Sequence, residues 1–499
     1  MSCTLFAIAE SPIENGQIWV GTNDGLVHVT RDGGKTWSNV TANIPNFPPR
    51  GIITNIEPSR FDAGTAYFSA DLHWMNHWDT YVYKTTDFGK TWTNIGSNIP
   101  KGYLSYARCI REDPVRKGLL YLGTANMLYV SFNDGGNWMP LNAGLPPAPV
   151  HWLVIQEHFN DLVVGTYGRG FYILDDITPL QQLTPDVIQS DVHLFAPRPA
   201  YRFLRTHSYD THSNDLCMGR DPEYGASLNY YLKSSPKGNV TLAIFNEKGE
   251  RIRTLRGTRN IGINRVNWNL GYEILQTARL RTPPYQEHFV PYGPEGWRPL
   301  IQYGGGPISV LAQPGTYTVK LFVDGKELEQ KLVVKKDPSS AGTEQDIAVQ
   351  TELMLKIRKS QDDLIGMINA LEWLRKQMYD LKDVLRNLDG GKDVLAKLEE
   401  LDTKMIAVEM ELFQMRVTGR ADVLRWPSGL YTKFGSLAGE IRRADFPPTE
   451  QQVDLHKVLE KQLSSHQEKY REILARDLVE LNTMLKSKNI AGIILVEKK

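Results

Sequence analysis

Thr30-Arg-Asp-Gly-Gly-Lys-Thr-Trp37, Thr85-Thr-Asp-Phe-Gly-Lys-Thr-Trp92 and Ser131-Phe-Asn-Asp-Gly-Gly-Asn-Trp138 are three copies of one pattern, [ST]-x-[DN]-x-G-x-x-W. Their tryptophans stand 55 and 46 residues apart. The pattern is the chemistry of a turn. An Asp or Asn side chain accepts N–H bonds from its own loop, and Gly supplies the positive φ that the chain needs there. The closing Trp is expected to anchor each hairpin in an apolar layer. Asp32, Asp87 and Asn133 therefore read as structural anchors with Trp37, Trp92 and Trp138, because local bonding already accounts for the acids.

Short β-runs flank each copy. Val27–Thr30 precedes the first and Trp37–Val40 follows it. Upstream lie Ile18–Thr22, Ala66–Ser69 and Leu120–Thr124, and before those Leu5–Ile8, Ile52–Ile56 and Ala107–Ile110. Four strands in a unit of about 45–50 residues make one blade of a β-propeller. A fourth unit, Trp152–Ile155, Leu162–Thr166 and Phe171–Leu174, lacks the turn pattern; its outer strand is expected from Leu180–Leu183 or from elsewhere. Four blades are visible, so the chain reads as the C-terminal portion of a longer propeller protein, or as one that pairs with blades on a partner chain. An unpaired blade edge would invite aggregation.

The succession WVGT, TRDGGKTW, YVYKTTDFGKTW, LLYLGT and VVGTYGRGFYILDD resembles the bacterial BNR/Asp-box repeat proteins, which are often labelled sortilin-like or glycosyl-hydrolase-like. The likeness runs on into the later domains. It implies a secreted or periplasmic protein if a longer precursor exists, since Met1 onward carries no basic start or long apolar stretch of a signal.

Beyond the blades the periodicity changes twice. Ser227–Leu232, Val240–Phe245 and Arg265–Trp268 alternate as strands, with a turn at Asn246–Gly249. Pro314–Val323, Asp324-Gly325 and Glu327–Val334 read as a hairpin, because Asp-Gly suits the tight primed turn. Together these predict an Ig-like β-sandwich, interrupted by a Pro- and Gly-rich loop at Pro283–Pro307 that packs between domains. From Glu344 the apolar spacing becomes helical: Ile347 to Leu385, Val394 to Met415, and Leu455 to Leu481 after Thr449-Glu450. Three long amphipathic helices predict an antiparallel bundle whose methionines fill its core, with a coiled-coil dimer as the alternative. The expected domains are 1–185 propeller blades, 186–338 sandwich and 339–499 helical bundle.

Composition narrows the function. Lys+Arg and Asp+Glu are both 57, a formal charge of zero that argues against a nucleic-acid partner. No apolar run is long enough to span a membrane, and Cys3, Cys109 and Cys217 form neither a metal motif nor a disulfide framework. Phosphate-loop, dinucleotide and Ser-His-Asp fingerprints are absent.

Propeller geometry puts the Asp boxes on one face and the second-to-third-strand loops on the other, where propellers bind ligands. There Asp71-Leu-His-Trp-Met-Asn-His-Trp-Asp79 is long, whereas Asn23-Asp24, Ala125-Asn126 and Tyr167–Gly170 are short. Flat rings with polar edges suit a glycan or an aromatic peptide, so His73, Trp74, His77 and Trp78 are candidate ligand-binding residues. A loop that plugs the channel is the alternative. Nothing argues a helix that would set His73 and His77 on one metal, and His207, Asp210 and His212 sit in a linker, so no metal or other cofactor is expected. Arg50, Arg108 and Arg169 fall on the ligand face, and three arginines there resemble the carboxylate clamp of sialidases, with Arg108 and Arg169 retained as ligand candidates. Glycosidases need two carboxylates across the scissile bond. Asp71 and Asp79 are the catalytic candidates, with Glu112, Asp113 and Glu157 available by number alone, and no spacing singles out a pair. In xyloglucanase-type Asp-box enzymes the cleft lies between two propellers, so this chain would hold half of it. The expected function is a non-catalytic glycan- or peptide-binding or assembly protein. The alternative is a glycoside hydrolase, xyloglucanase-like or sialidase-like, or part of one.

Overall fold

The computed structural model describes residues 4–204, 219, 221–274, 276–285, 290–300, 306–386, 391–419, 422 and 425–496. Cys3, Cys217 and the His207–His212 cluster lie outside these residues. Many antiparallel β-sheets are followed by helices at the C-terminal end. The chain forms two compact units. The first holds residues 1–198 with 229–235 and 259–265, and the second holds the remainder.

The first unit contains four successive meander sheets. Sheet 1 runs β1 (Leu5–Glu10), β2 (Ile18–Thr22), β3 (Val27–Thr30) and β4 (Ser38–Asn39). Sheet 2 runs β5 (Ile52–Pro58), β6 (Ala66–Asp71), β7 (Tyr81–Thr85) and β8 (Thr93–Asn94). Sheet 3 runs β9 (Ala107–Glu112), β10 (Leu120–Thr124), β11 (Leu128–Ser131) and β12 (Met139–Pro140). Sheet 4 has three strands, β13 (Val150–Gln156), β14 (Asp161–Thr166) and β15 (Phe171–Leu174). The expected outer strand at Leu180–Leu183 does not form. Pro179 opens helix α1 (Thr178–Gln182) instead, because its fixed φ suits the first helical turn. A second short helix, α2 (Pro185–Gln189), follows, and strand β16 (Val192–Leu194) then pairs with Tyr230–Leu232.

The box turns close as their chemistry requires. Asp32 accepts the Thr36 N–H at 2.9 Å and the Thr36 hydroxyl at 2.6 Å; Asp87 accepts the same groups of Thr91 at 2.8 and 2.7 Å. Asn133 accepts the Asn137 N–H at 2.8 Å. Gly33, Phe88 and Asp134, each next in its box, take φ of 72°, 61° and 61°. The bonds from Thr36 hold the Asp32 carboxyl down at about 2, so it is an anion at any ordinary pH.

Neighbouring sheets stack through their faces. Gly21 lets Ile53 and Ile56 approach sheet 1; a Cβ there would meet Ile53 at 2.4 Å. Trp92 packs edge-on against Trp19 of the preceding sheet, and Trp138 donates its indole N–H to Ile95 O of the preceding sheet at 2.7 Å. Trp37 departs from the expected anchoring: it is 44% exposed and bonds only its own turn, at Gly34 O. Trp burial here depends on a sheet on the far side, and no described sheet precedes sheet 1. Arg111 bolts three sheets together. It donates to Asn55 and Glu57 of sheet 2 at 2.9 and 3.1 Å and to Leu153 O of sheet 4 at 2.9 Å. Burial nevertheless pushes the Glu57 carboxyl up to about 7, against the pull of Arg111.

The second unit contains a five-stranded sheet in the order β17 (Ala200–Arg202), β25 (Lys326–Lys336), β24 (Gly315–Val323), β19 (Thr241–Phe245) and β20 (Arg251–Arg256). The remaining strands among the described residues are β18 (Ala226–Leu232), β21 (Gly262–Trp268) and the pair β22 (Arg279–Leu280) and β23 (Arg298–Pro299). The β24–β25 turn uses Asp324 and Gly325 at φ of 44° and 82°. Helix α3 (Glu344–Leu385) starts on a capping box of Thr343 and Asp346, and α6 (Glu450–Glu472) on one of Thr449 and Gln452. Between them lie α4 (Lys392–Leu412) and α5 (Leu430–Ile441), the latter absent from the sequence reading; α7 (Leu478–Ser487) continues α6 past a π-turn. Their apolar stripes share one core, in which Met354, Met367, Met378, Met405 and Met415 are buried. Thr282, just before the Pro- and Gly-rich loop, is tied to α3. Glu372 accepts the N–H and hydroxyl of Thr282 at 2.6 and 2.9 Å, and Arg375 bonds Asp402 and Glu409 at 2.9 and 2.6 Å. No described helix is long and apolar enough to cross a membrane.

Candidate functional site

In a meander the 2–3 loops and the starts of the first strands share one end, while the box turns lie at the other. Asp71 ends β6 at the first of these ends, opposite Ile52. The chain then makes a single helical turn, His73–Met75, closed by Asn76 at φ 62°. Asp71 is buried and fully engaged. Its Oδ1 accepts the His73 backbone N–H at 2.9 Å and contacts the His73 Nδ1 at 2.6 Å. Its Oδ2 accepts from Arg108 at 3.0 Å. Arg108 also lies over the Tyr106 ring, 4.7 Å from its centroid, and its buried Nε has no partner among the described residues.

A layer of rings covers this ion pair. His73 stacks on Tyr106 at 4.4 Å and 13°, with Trp74 tilted beside it at 4.7 Å. Trp78 stands 6.1 Å from His73 and meets Tyr103 edge-on at 5.3 Å. Trp74 and Tyr103 are 79% and 76% exposed, so their faces are open to a ligand. Trp78 is steadied by an indole N–H bond to Asn76 Oδ1 at 2.9 Å. On the neighbouring sheet His151 stacks on Tyr167 at 5.2 Å. Burial, with Arg108 nearby, lowers the His151 pKa, so its ring is neutral near pH 7. The assembly offers flat apolar faces above a buried charged floor.

His73, Trp74, Trp78, Arg108 and Asp71 thus come together. The other sequence candidates stand elsewhere. His77 bonds the Tyr81 hydroxyl at 3.3 Å, and Asp79 pairs with Lys101 at 2.8 Å. Arg50 and Arg169 are exposed, and the Arg108 guanidinium is committed to Asp71. Glu112, Asp113 and Glu157 lie at the box-turn end. Glu112 takes the Tyr67 hydroxyl, Asp113 caps Val115 and Arg116, and Glu157 pairs with Arg60. Tyr103, Tyr106, His151 and Tyr167 were missed. Tyr103 and Tyr106 signal themselves only as two rings in an inter-sheet loop. Cys109 is free and buried, with its thiol pushed up to about 12 by burial, and is chemically idle.

No family model matches the chain. Over 121 residues, 23% of the chain, it is 31% identical to an oligoxyloglucan-reducing end-specific xyloglucanase of Emericella nidulans. Over 89 residues, 18% of the chain, it is 34% identical to a probable enzyme of the same kind from Neosartorya fischeri. The matches span 14% and 10% of those relatives' own lengths. Among solved structures, the GH74 xyloglucanase from Xanthomonas campestris aligns with 66% of this chain and 54% of its own, at 12% identity and a TM-score of 0.29. Over those stretches the chain is similar to glycosyl hydrolases of the xyloglucanase kind, and neither relative is described as sortilin-like or as a BNR protein.

Proposed function

We propose that this chain is the glycan-engaging part of a glycoside hydrolase-like Asp-box β-propeller protein, with a β-glucan of the xyloglucan class as its ligand. The observation that carries it is the open ring faces of Trp74 and Tyr103, with half-buried Trp78, above the pair of buried Asp71 and half-buried Arg108. Sugar rings present apolar faces that stack on such rings, while hydroxyls reach polar edges. The local similarity to two xyloglucanases supports the ligand class. In this reading residues 1–185 are propeller blades, 186–338 an Ig-like sandwich and 339–499 a helical bundle that serves as a docking module. One observation favours a second, non-catalytic reading, in which the face binds a glycan or peptide for assembly. Asp71 has both oxygens occupied and Asp79 is ion-paired, so neither is a free acid.

Titration calorimetry with xyloglucan oligosaccharides, run beside a reducing-end assay, tests both. Trp74→Ala and Trp78→Ala should each weaken binding about tenfold, or about 1.4 kcal/mol. Unchanged affinity in both variants removes the site assignment. Binding without released reducing ends selects the second reading.

A further inference from the structure

Three apolar cores lie between the four sheets, and each is built the same way. One face of a sheet contributes Ala7, Val27 and Val29, or Cys109, Leu128 and Val130; the opposite face of the next sheet contributes Ile56, Phe68 and Tyr83, or Leu153 and Val164. The strand register makes the sheets directly comparable. Ile8, Ile56, Ile110 and Leu153 occupy one position, each paired with the residue just before Gly21, Ser69, Gly123 or Gly165. Ile56, Ile110 and Leu153 are 3%, 0% and 0% exposed, but Ile8 is 72% exposed. On the other face, Val27, Val82 and Leu128 are 0%, 0% and 3% exposed, while their counterpart Phe171 is 82% exposed. Trp152, Val154 and Ile173 surround Phe171, also exposed, and Phe6 and the uncovered box Trp37 accompany Ile8. The first and last sheets therefore each present an unfilled half of a core that the chain completes three times internally. Apolar patches of this kind mark an interface.

We propose that a second copy of this chain covers both faces, head to tail. The Ile8 face of sheet 1 in one copy seats on the Phe171 face of sheet 4 in the other. The warrant is continuity: the two faces are the two halves of one repeated seam, so each copy carries what the other lacks. Two such seams join eight sheets, within the range of propeller rings, whereas a rotation that does not close gives a head-to-tail series. This goes beyond the proposed glycan site, which lies on sheets 2 and 3 and functions in either association state.

Light scattering on the eluting full chain tests it, with Ile8→Asp and Phe171→Asp. Both positions are exposed, so each variant should keep the wild-type circular dichroism; Val154→Lys replaces Phe171→Asp if that variant does not fold. The wild type should elute as a dimer or a longer series, and each variant alone as a monomer. In an equimolar mixture, one seam again has two wild-type faces, and association should return. A wild type that stays monomeric up to its solubility limit overturns the proposal. So does an oligomer that survives both substitutions, or a mixture of folded variants that stays monomeric.

Discussion

Replacing Asp71 by Asn asks whether this carboxylate is a scaffold or an acid. Its two oxygens receive three contacts: the His73 N–H at 2.9 Å, the His73 ring at 2.6 Å and Arg108 at 3.0 Å. Asn keeps one oxygen and places an NH2 where the other stood. Turned one way, that NH2 faces the Arg108 donor; turned the other, it faces the His73 N–H. Either way one charge-assisted bond, worth about 1.5–3 kcal/mol, is lost. Arg108 is left without a counter-charge, and removing one partner of a buried pair costs about 3–5 kcal/mol in full burial. The Arg108 side chain is 22% exposed, which moderates that penalty. A loss of about 2–3 kcal/mol follows, a drop of about 5–10 °C in melting temperature for a unit of this size. Thermal and urea unfolding of Asp71→Asn, Arg108→Gln and the double variant would measure it. The double variant should lose less than the sum of the singles, by about 1–2 kcal/mol. An Asp71→Asn variant within about 0.5 kcal/mol of wild type that loses glycan hydrolysis refutes the scaffold argument and makes Asp71 a reacting group.

Two further outcomes follow from the sheets. Glu57 is held near 7 against an ordinary 4.5, so its ionisation penalises the fold. The sign is that of a raised acid: the penalty is absent below about pH 4.5, grows as pH rises, and is complete above about 7, where it reaches about 3 kcal/mol. Glu57→Gln keeps an acceptor for the Glu112 N–H and leaves Arg111 its bonds to Asn55 and Leu153. It should therefore stabilise by about 1–2 kcal/mol at pH 8 and by nothing at pH 4 in urea unfolding; destabilisation at pH 8 would show that the Arg111 pair outweighs burial. Asp87→Ala removes the acceptor for the Thr91 N–H and should cost about 1–2 kcal/mol, as loss of a helix cap does, while oligosaccharide titration stays at wild-type affinity because the box lies at the far end of the sheets.

What the sequence disclosed, and what it withheld, divides along local and non-local physics. Strands β2, β10 and β15 match their sequence-derived ranges because alternation and flanking turn residues are properties of the segment itself. The box turns were legible for the same reason: donor, acceptor and positive φ all lie within eight residues. Helix α5 carries helical spacing too, in Leu430, Phe434, Leu437 and Ile441, but its 12 residues give a short run beside α3 and α4. The Asp71–Asp79 loop stood out by composition, but its partners did not. Tyr106 and Arg108 come from another sheet, and only the register of stacked sheets sets them against His73 and Asp71. Arg108 reads from sequence as free to grip a ligand because a sequence shows a guanidinium but not its counter-ion. Trp37 carries the argument furthest. It has the same box as Trp92 and Trp138, and the same turn, yet it lies open. A repeat encodes both halves of its own seam in every copy, so apolar residues stand at the seam positions at the end of an array as in its middle. Burial is then decided by whatever stands next to the array. The exposure of Trp37, Ile8 and Phe171 is a property of the neighbourhood, and it becomes measurable only by supplying a neighbour.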